Sequence, residues 1–168
     1  EKIEMPTHIF LQGGVGSFPG AICAYFWEKF PNSNIKFIVV ESEHAPCLIQ
    51  SAQKNQMTSV NIKKETMMAG LSCGEPSLLG WKILSIGTDD FVAISDQLIP
   101  STMRMLANNN PPIEAGESSV AGLAALIEIV KTKDIATKLK LDSESIVLLF
   151  GTEGATDPEI YDSIIKAS

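Results

Sequence analysis

Basic residues are scarce in this 168-residue chain, and so is cysteine. Lysine and arginine number 13 against 20 acids, for a formal net charge of −7. A nucleic-acid partner, whose phosphates want the opposite sign, is therefore not expected. Neither is a polybasic membrane-surface patch, because the lysines do not cluster. Cys23, Cys47 and Cys73 are an odd set with no close pair, which fits a reducing, cytoplasmic setting better than a disulfide scaffold. The longest apolar run, residues 35–40, is far too short to span a bilayer. No signal peptide is visible, and the chain opens on Glu1, so a soluble intracellular protein, possessed here as a piece, is the expectation. With 45% hydrophobic and 20% charged residues, the composition also excludes a disordered or fibrous class.

What the chain does contain is a recurring unit of apolar run, turn and helical pattern. Residues 7–12, 35–40, 91–95 and 146–150 read as strands, apolar on both faces. Helical spacing occupies residues 21–30, 44–53, 78–86 and 116–130, a stretch from an Asp96 N-cap to about 106, and residues 158–165, with one short helix around Met67. Apolar strands alternating with helices predict an α/β fold: a doubly wound three-layer sandwich with a mainly parallel sheet and helices on both faces. Asn108-Asn109-Asn110-Pro111-Pro112 breaks the pattern, but strands fall on both sides of it, so residues 1–168 read as one domain.

The most informative segment is Gln12-Gly13-Gly14-Val15-Gly16-Ser17, between the first strand and the first helix. Glycines there bare backbone N–H groups at the positive end of a helix dipole, an arrangement suited to phosphate. A Walker loop is excluded, since no lysine occurs between Lys2 and Lys29. The dinucleotide fingerprint fails at its third glycine, where Pro19 stands, although Glu41 ends the second strand and suits a ribose hydroxyl. A tight turn with no ligand is the bland alternative. Glu41, His44 and Cys47 lie close in sequence but lack the further ligands a metal needs, so no metal site is expected. Cys73 has no histidine in a recognisable partner motif and reads as a structural thiol, while His8 reads as a satisfied core histidine and Met67-Met68 as core filler. Thr152-Glu153-Gly154 follows the last strand, at the carboxyl edge where ligands of open α/β sheets bind.

Four segments, taken in order, carry a resemblance: Gln12 to Ser17, Val40-Glu41, Gly70-Leu71-Ser72-Cys73-Gly74-Glu75-Pro76 and Gly116-Glu117-Ser118-Ser119-Val120-Ala121-Gly122. Together they resemble the carboxyl half of fold-type-II pyridoxal-phosphate enzymes, the group of threonine dehydratase, serine racemase and tryptophan synthase β. Within it, the run from Gly70 to Trp81 and the ending Gly151 to Asp157 are most similar to the diaminopropionate ammonia-lyase branch. The resemblance implies pyridoxal 5′-phosphate as cofactor, its phosphate held by the backbone amides of Gly13, Gly14, Val15, Gly16 and Ser17. It places Glu117 and Ser118 beside the ring and the Thr152 hydroxyl at the pyridine nitrogen. A cation site of some members would fall at Glu41, Ala45 and Cys47; the last would have to be an acid, so no metal is expected. The lysine that forms the Schiff base has no counterpart here, so no catalytic residue is expected within the chain. The expectation is a carboxyl-terminal part of a longer, dimeric enzyme, inactive alone, whose parent converts 2,3-diaminopropionate to pyruvate and ammonia by α,β-elimination. A threonine or serine dehydratase on the same scaffold, a Rossmann-like nucleotide-binding domain, and a non-catalytic ligand-sensing domain are the competing readings.

Overall fold

A computed structural model describes residues 4–167. Along the chain run β1 (His8–Gln12), α1 (Ser17–Lys29), β2 (Lys36–Ser42), α2 (Cys47–Lys54), α3 (Leu78–Gly87), β3 (Asp90–Ile94), α4 (Ile99–Ala107), α5 (Ala121–Lys131), α6 (Lys133–Leu139), β4 (Val147–Leu149) and α7 (Pro158–Lys166). The strands form one sheet in the order β3-β2-β1-β4. Every pairing is parallel: Phe10 lies opposite Ile38 on one side and Leu149 on the other, and Val40 opposite Val92. No helix among the described residues is long and apolar enough to cross a membrane.

The uninterrupted apolar character of β1 and β2 follows from burial on both faces. Successive side chains alternate across a strand, so a sheet covered on both sides needs apolar residues at every position. Ile9, Leu11, Phe37 and Val39 point to one side, packing with Cys23, Leu48, Trp81 and Leu84 of α1, α2 and α3. Phe10, Ile38 and Val40 point to the other, against Ile99, Met103, Ala121, Ala124 and Ala125 of α4 and α5. Small residues on α5 let it lie close over the sheet centre, and Met68 fills the same core, as expected of it. His8 is also in the core, its Nε2 2.9 Å from the Leu139 carbonyl and its Nδ1 2.8 Å from the Thr7 hydroxyl.

Three local expectations need correction, and one helix is added. The helix expected over residues 116–130 starts only at Ala121; residues 117–120 form turns, because Gly116 N–H donates to Glu153 O (2.9 Å) and Ser118 N–H to the Glu153 carboxylate (2.7 Å). Asp96 is no α-helix N-cap. Ser95 caps a single 3-10 turn over Asp96–Leu98, while the Asp96 carboxylate accepts from the Thr66 hydroxyl and from Met67 N–H (3.1 Å). The short helix near Met67 is a 3-10 turn at Ala69–Leu71. Helix α6 was not foreseen at all: in its sequence only Ile135, Ala136 and Leu139 are apolar, and only Leu139 is buried.

Candidate functional site

At the carboxyl end of β1 the chain reverses through glycines into α1. The last rung between β1 and β2 is Gly13 N–H donating to Val40 O (2.7 Å). Gly16, the N-cap of α1, has φ 91° and ψ 0°, a left-handed conformation that disfavours any side chain. Gly14 is required by close approach: a Cβ there would come within 2.7 Å of the Gly70 carbonyl oxygen. Pro19 sits in the first turn of α1, where a missing N–H costs nothing, which is why the helix starts at Ser17 rather than at Ala21. Among the described residues, none accepts from the N–H groups of Gly14, Gly16 or Ser17. Bare donors at the start of a 13-residue helix are what an anion needs.

Three further segments close a space over this turn. One is the 3-10 turn with Gly70, Leu71 and Cys73, another is Ser118 ahead of α5, and the third is Thr152-Glu153-Gly154 after β4. The open cavity they line has a volume of about 610 Å³, within the ordinary range for a cofactor or small ligand. Hydrogen bonds fasten the walls together. Gly70 N–H donates to Ser118 Oγ (3.1 Å), and Ser118 N–H to Glu153 Oε2 (2.7 Å). Gln12 Nε2 donates to Phe150 O (2.7 Å) and to Thr152 Oγ1 (3.1 Å). Ser77 N–H donates to Val15 O (2.7 Å), which ties the start of α3 to the glycine turn.

Of the residues expected to bind a cofactor, Gly14, Val15, Gly16, Ser17 and Thr152 line this one cavity. Gly13 is buried beneath it, and its N–H is spent on Val40, so its contribution is to the turn and not to anion binding. Glu117 is half-buried and does not line the cavity, whereas its neighbour Ser118 does. Gln12 and Glu153 lie within segments that the sequence singles out, but it assigns neither a role of its own. The available signal for Gln12 was a polar residue closing a strand that is otherwise apolar.

Other candidates go elsewhere. Glu41 is fully buried, and both carboxylate oxygens accept from the start of α2, from Leu48 N–H (2.9 Å) and Ile49 N–H (2.7 Å). It therefore caps a helix and offers nothing to a ribose; burial pushes its carboxyl up to about 7. Cys47 is buried with its Sγ 3.7 Å from Gly14 O, and burial pushes its thiol up to about 12. Cys73 lines the cavity, its thiol also raised by burial. His44 Nε2 lies 3.9 Å from both Glu43 and Asp96. Among the described residues, no three metal-ligating side chains gather into a possible ion site.

Comparison with known proteins follows the same lines. Residues 1–151 match the family model described as pyridoxal-phosphate dependent enzyme. A diaminopropionate ammonia-lyase of Salmonella typhimurium is 41% identical over 170 residues, covering 96% of this chain and 42% of the relative. One of Escherichia coli K12 is 36% identical over 166 residues, covering 95% and 42%. The crystal structure of Escherichia coli diaminopropionate ammonia lyase in complex with an aminoacrylate-PLP azomethine reaction intermediate superposes with a TM-score of 0.87 at 34% identity, covering 97% of this chain and 43% of that one. The chain thus spans about 42% of the length of the curated relatives it matches.

Proposed function

Because this chain belongs to the pyridoxal-phosphate dependent enzyme family, we propose that it is the cofactor-holding part of a lyase that converts 2,3-diaminopropionate and water to pyruvate and two ammonia molecules. The observation that carries the reading is the convergence of the glycine turn and Thr152 on one cavity of about 610 Å³. The residues present fit pyridoxal phosphate. Gly14, Gly16 and Ser17 would bind its phosphate through their unpaired N–H groups, and a side chain at position 14 would collide with Gly70. Thr152 would meet the ring nitrogen with a neutral hydroxyl. When bound, the cofactor withdraws electrons from the amino-acid α-carbon, which makes loss of the α-proton and then of a β-substituent possible.

The chain's own residues would anchor and orient. Ser118, held between Gly70 and Glu153, braces the wall beside the ring, and the α1 dipole favours the phosphate dianion. The nucleophilic lysine and the base that takes the α-proton would come from chain outside these residues, so the piece alone would be inactive. We place the full enzyme in the cytoplasm as a homodimer. Three free cysteines support a reducing compartment, and exposed Leu78, Leu79 and Ile86 on α3 support a subunit contact. A nucleotide-binding role is disfavoured by Glu41, whose oxygens are taken by α2.

The test is reconstitution of the full-length enzyme with pyridoxal phosphate, followed over a visible absorption band that borohydride abolishes, and then a pyruvate assay. Pyruvate from 2,3-diaminopropionate is expected in preference to pyruvate from serine or 2-oxobutyrate from threonine. Preference for the hydroxy amino acids would move the protein to the dehydratases, and no absorption band would end the cofactor reading. Gly16→Asp should weaken cofactor binding by about tenfold or more, since it sets a carboxylate beside the phosphate at a left-handed position.

A further inference from the structure

We infer that Gln12 fixes the direction of the Thr152 hydroxyl, making it a hydrogen-bond donor to the ring nitrogen and so selecting the unprotonated ring. The inference rests on the cofactor reading proposed above. Gln12 closes β1 and is 5% exposed, and a buried amide is stable only when paired. Its terminal atom lies 2.7 Å from the Phe150 carbonyl oxygen. A carbonyl has no proton to offer, so the facing atom must be the amide nitrogen, which settles the orientation of the side chain.

That same nitrogen carries a second hydrogen, and Thr152 Oγ1 lies 3.1 Å away to receive it. A hydroxyl has one hydrogen and two lone pairs. With a lone pair engaged by Gln12, the hydrogen of Thr152 is turned away from β1. Thr152 lines the cavity, so its hydrogen, having no partner on β1, is free to point into that space as a donor. A pyridine nitrogen with a free lone pair takes that hydrogen and completes the bond, whereas a pyridinium must use the second lone pair and turn the hydrogen elsewhere, so the Gln12 bond shifts the balance toward the unprotonated ring. Gln12 is therefore a positioning residue acting through Thr152. The bond joins residues 140 apart in sequence.

The polarity can be inverted by one atom. In Gln12→Glu the carboxylate cannot donate; it accepts the Thr152 hydrogen instead, and the hydroxyl then shows the cavity an acceptor. The experiment uses full-length enzyme loaded with ¹⁵N-labelled pyridoxal phosphate. The ³¹P resonance reports occupancy and the ¹⁵N resonance reports the protonation state of the ring. Wild type should give a bound ³¹P signal and a ¹⁵N shift in the unprotonated pyridine range. Gln12→Glu should keep the ³¹P signal and move ¹⁵N toward the pyridinium range. Gln12→Met, near in size and unable to donate, should move it the same way by less, which covers a Glu variant that does not fold. Thr152→Val should remove the dependence on position 12. An unchanged ¹⁵N shift in both position-12 variants with ³¹P retained overturns the role of Gln12 alone. A wild-type enzyme with no bound ³¹P signal overturns the cofactor reading and this inference with it.

Discussion

Gly80 lies outside the cavity, yet its substitution should reach the anion site. It sits in the first turn of α3, where Ser77 accepts its N–H at 3.3 Å. On helix propensity alone, Gly80→Ala should stabilise by about 1 kcal/mol. The contact decides otherwise. A Cβ at position 80 would lie 2.6 Å from Gly16 O, 2.7 Å from Gly16 C and 3.1 Å from Ser17 N, all of them backbone. No rotamer change relieves that, so α1 and α3 must part by roughly 0.8 Å to reach ordinary contact. Overpacking of this kind costs about 1–3 kcal/mol, which cancels or exceeds the propensity gain. The net expectation is a loss of about 0–2 kcal/mol, or a melting temperature lowered by up to roughly 8 °C at about 2–4 °C per kcal/mol for a cooperative unit of this chain's size, and by less where the whole enzyme melts as one unit. The backbone displaced is the start of α1, whose N–H groups would hold the phosphate. Misplacing one or two charge-assisted bonds should weaken pyridoxal phosphate by about tenfold to a hundredfold. Calorimetric melting and a fluorescence titration of the full-length apoenzyme measure both. A rise in melting temperature with unchanged cofactor affinity would refute the packing argument.

Two further outcomes are expected. Burial raises the Glu41 carboxyl from 4.5 to about 7, so the folded protein holds this proton more tightly than the unfolded chain does. Its contribution to stability is therefore fully present below pH 4.5 and is lost as pH rises through about 7, by roughly 3 kcal/mol at most. Glu41→Gln should flatten that slope in urea denaturation between pH 5 and pH 8, and parallel profiles for the two proteins would contradict it. Burial pushes Cys23 and Cys47 up to about 12, whereas Cys73 is only half-buried and lines the cavity. Iodoacetamide should therefore modify Cys73 at least about tenfold faster than the other two, and bound pyridoxal phosphate should slow it. Equal rates at all three thiols, read by mass spectrometry, would show the burial argument to be wrong.

The strands were legible in the sequence because their cause is local and repeated. The middle of β1 and of β2 must be apolar on both sides when helices cover both faces, and the cores formed around Ile9 and Leu11 on one side and Phe10 on the other meet that demand. The glycine turn was legible for the same reason, since the left-handed backbone at Gly16 is met by its own residue type. Helix α6 was not, because its burial rests on Leu139 alone and leaves no periodic stripe.

What tertiary structure decided was the assignment of polar groups, each of which had more than one use in the sequence. Glu41 suited a ribose and instead caps α2; Asp96 suited a helix start and instead holds Thr66 and Met67. Gly116 and its neighbours suited a helix and were drawn into turns by Glu153. A buried donor or acceptor goes to whichever partner lies within about 3 Å with good alignment. That partner is set by the packing of the sheet and helices, as with Gln12 and Phe150, 138 residues apart. Apolar pattern and backbone conformation are properties of neighbours along the chain, and the sequence carries them openly. Hydrogen-bond partnership is a property of neighbours in space, and only the folded chain decides it.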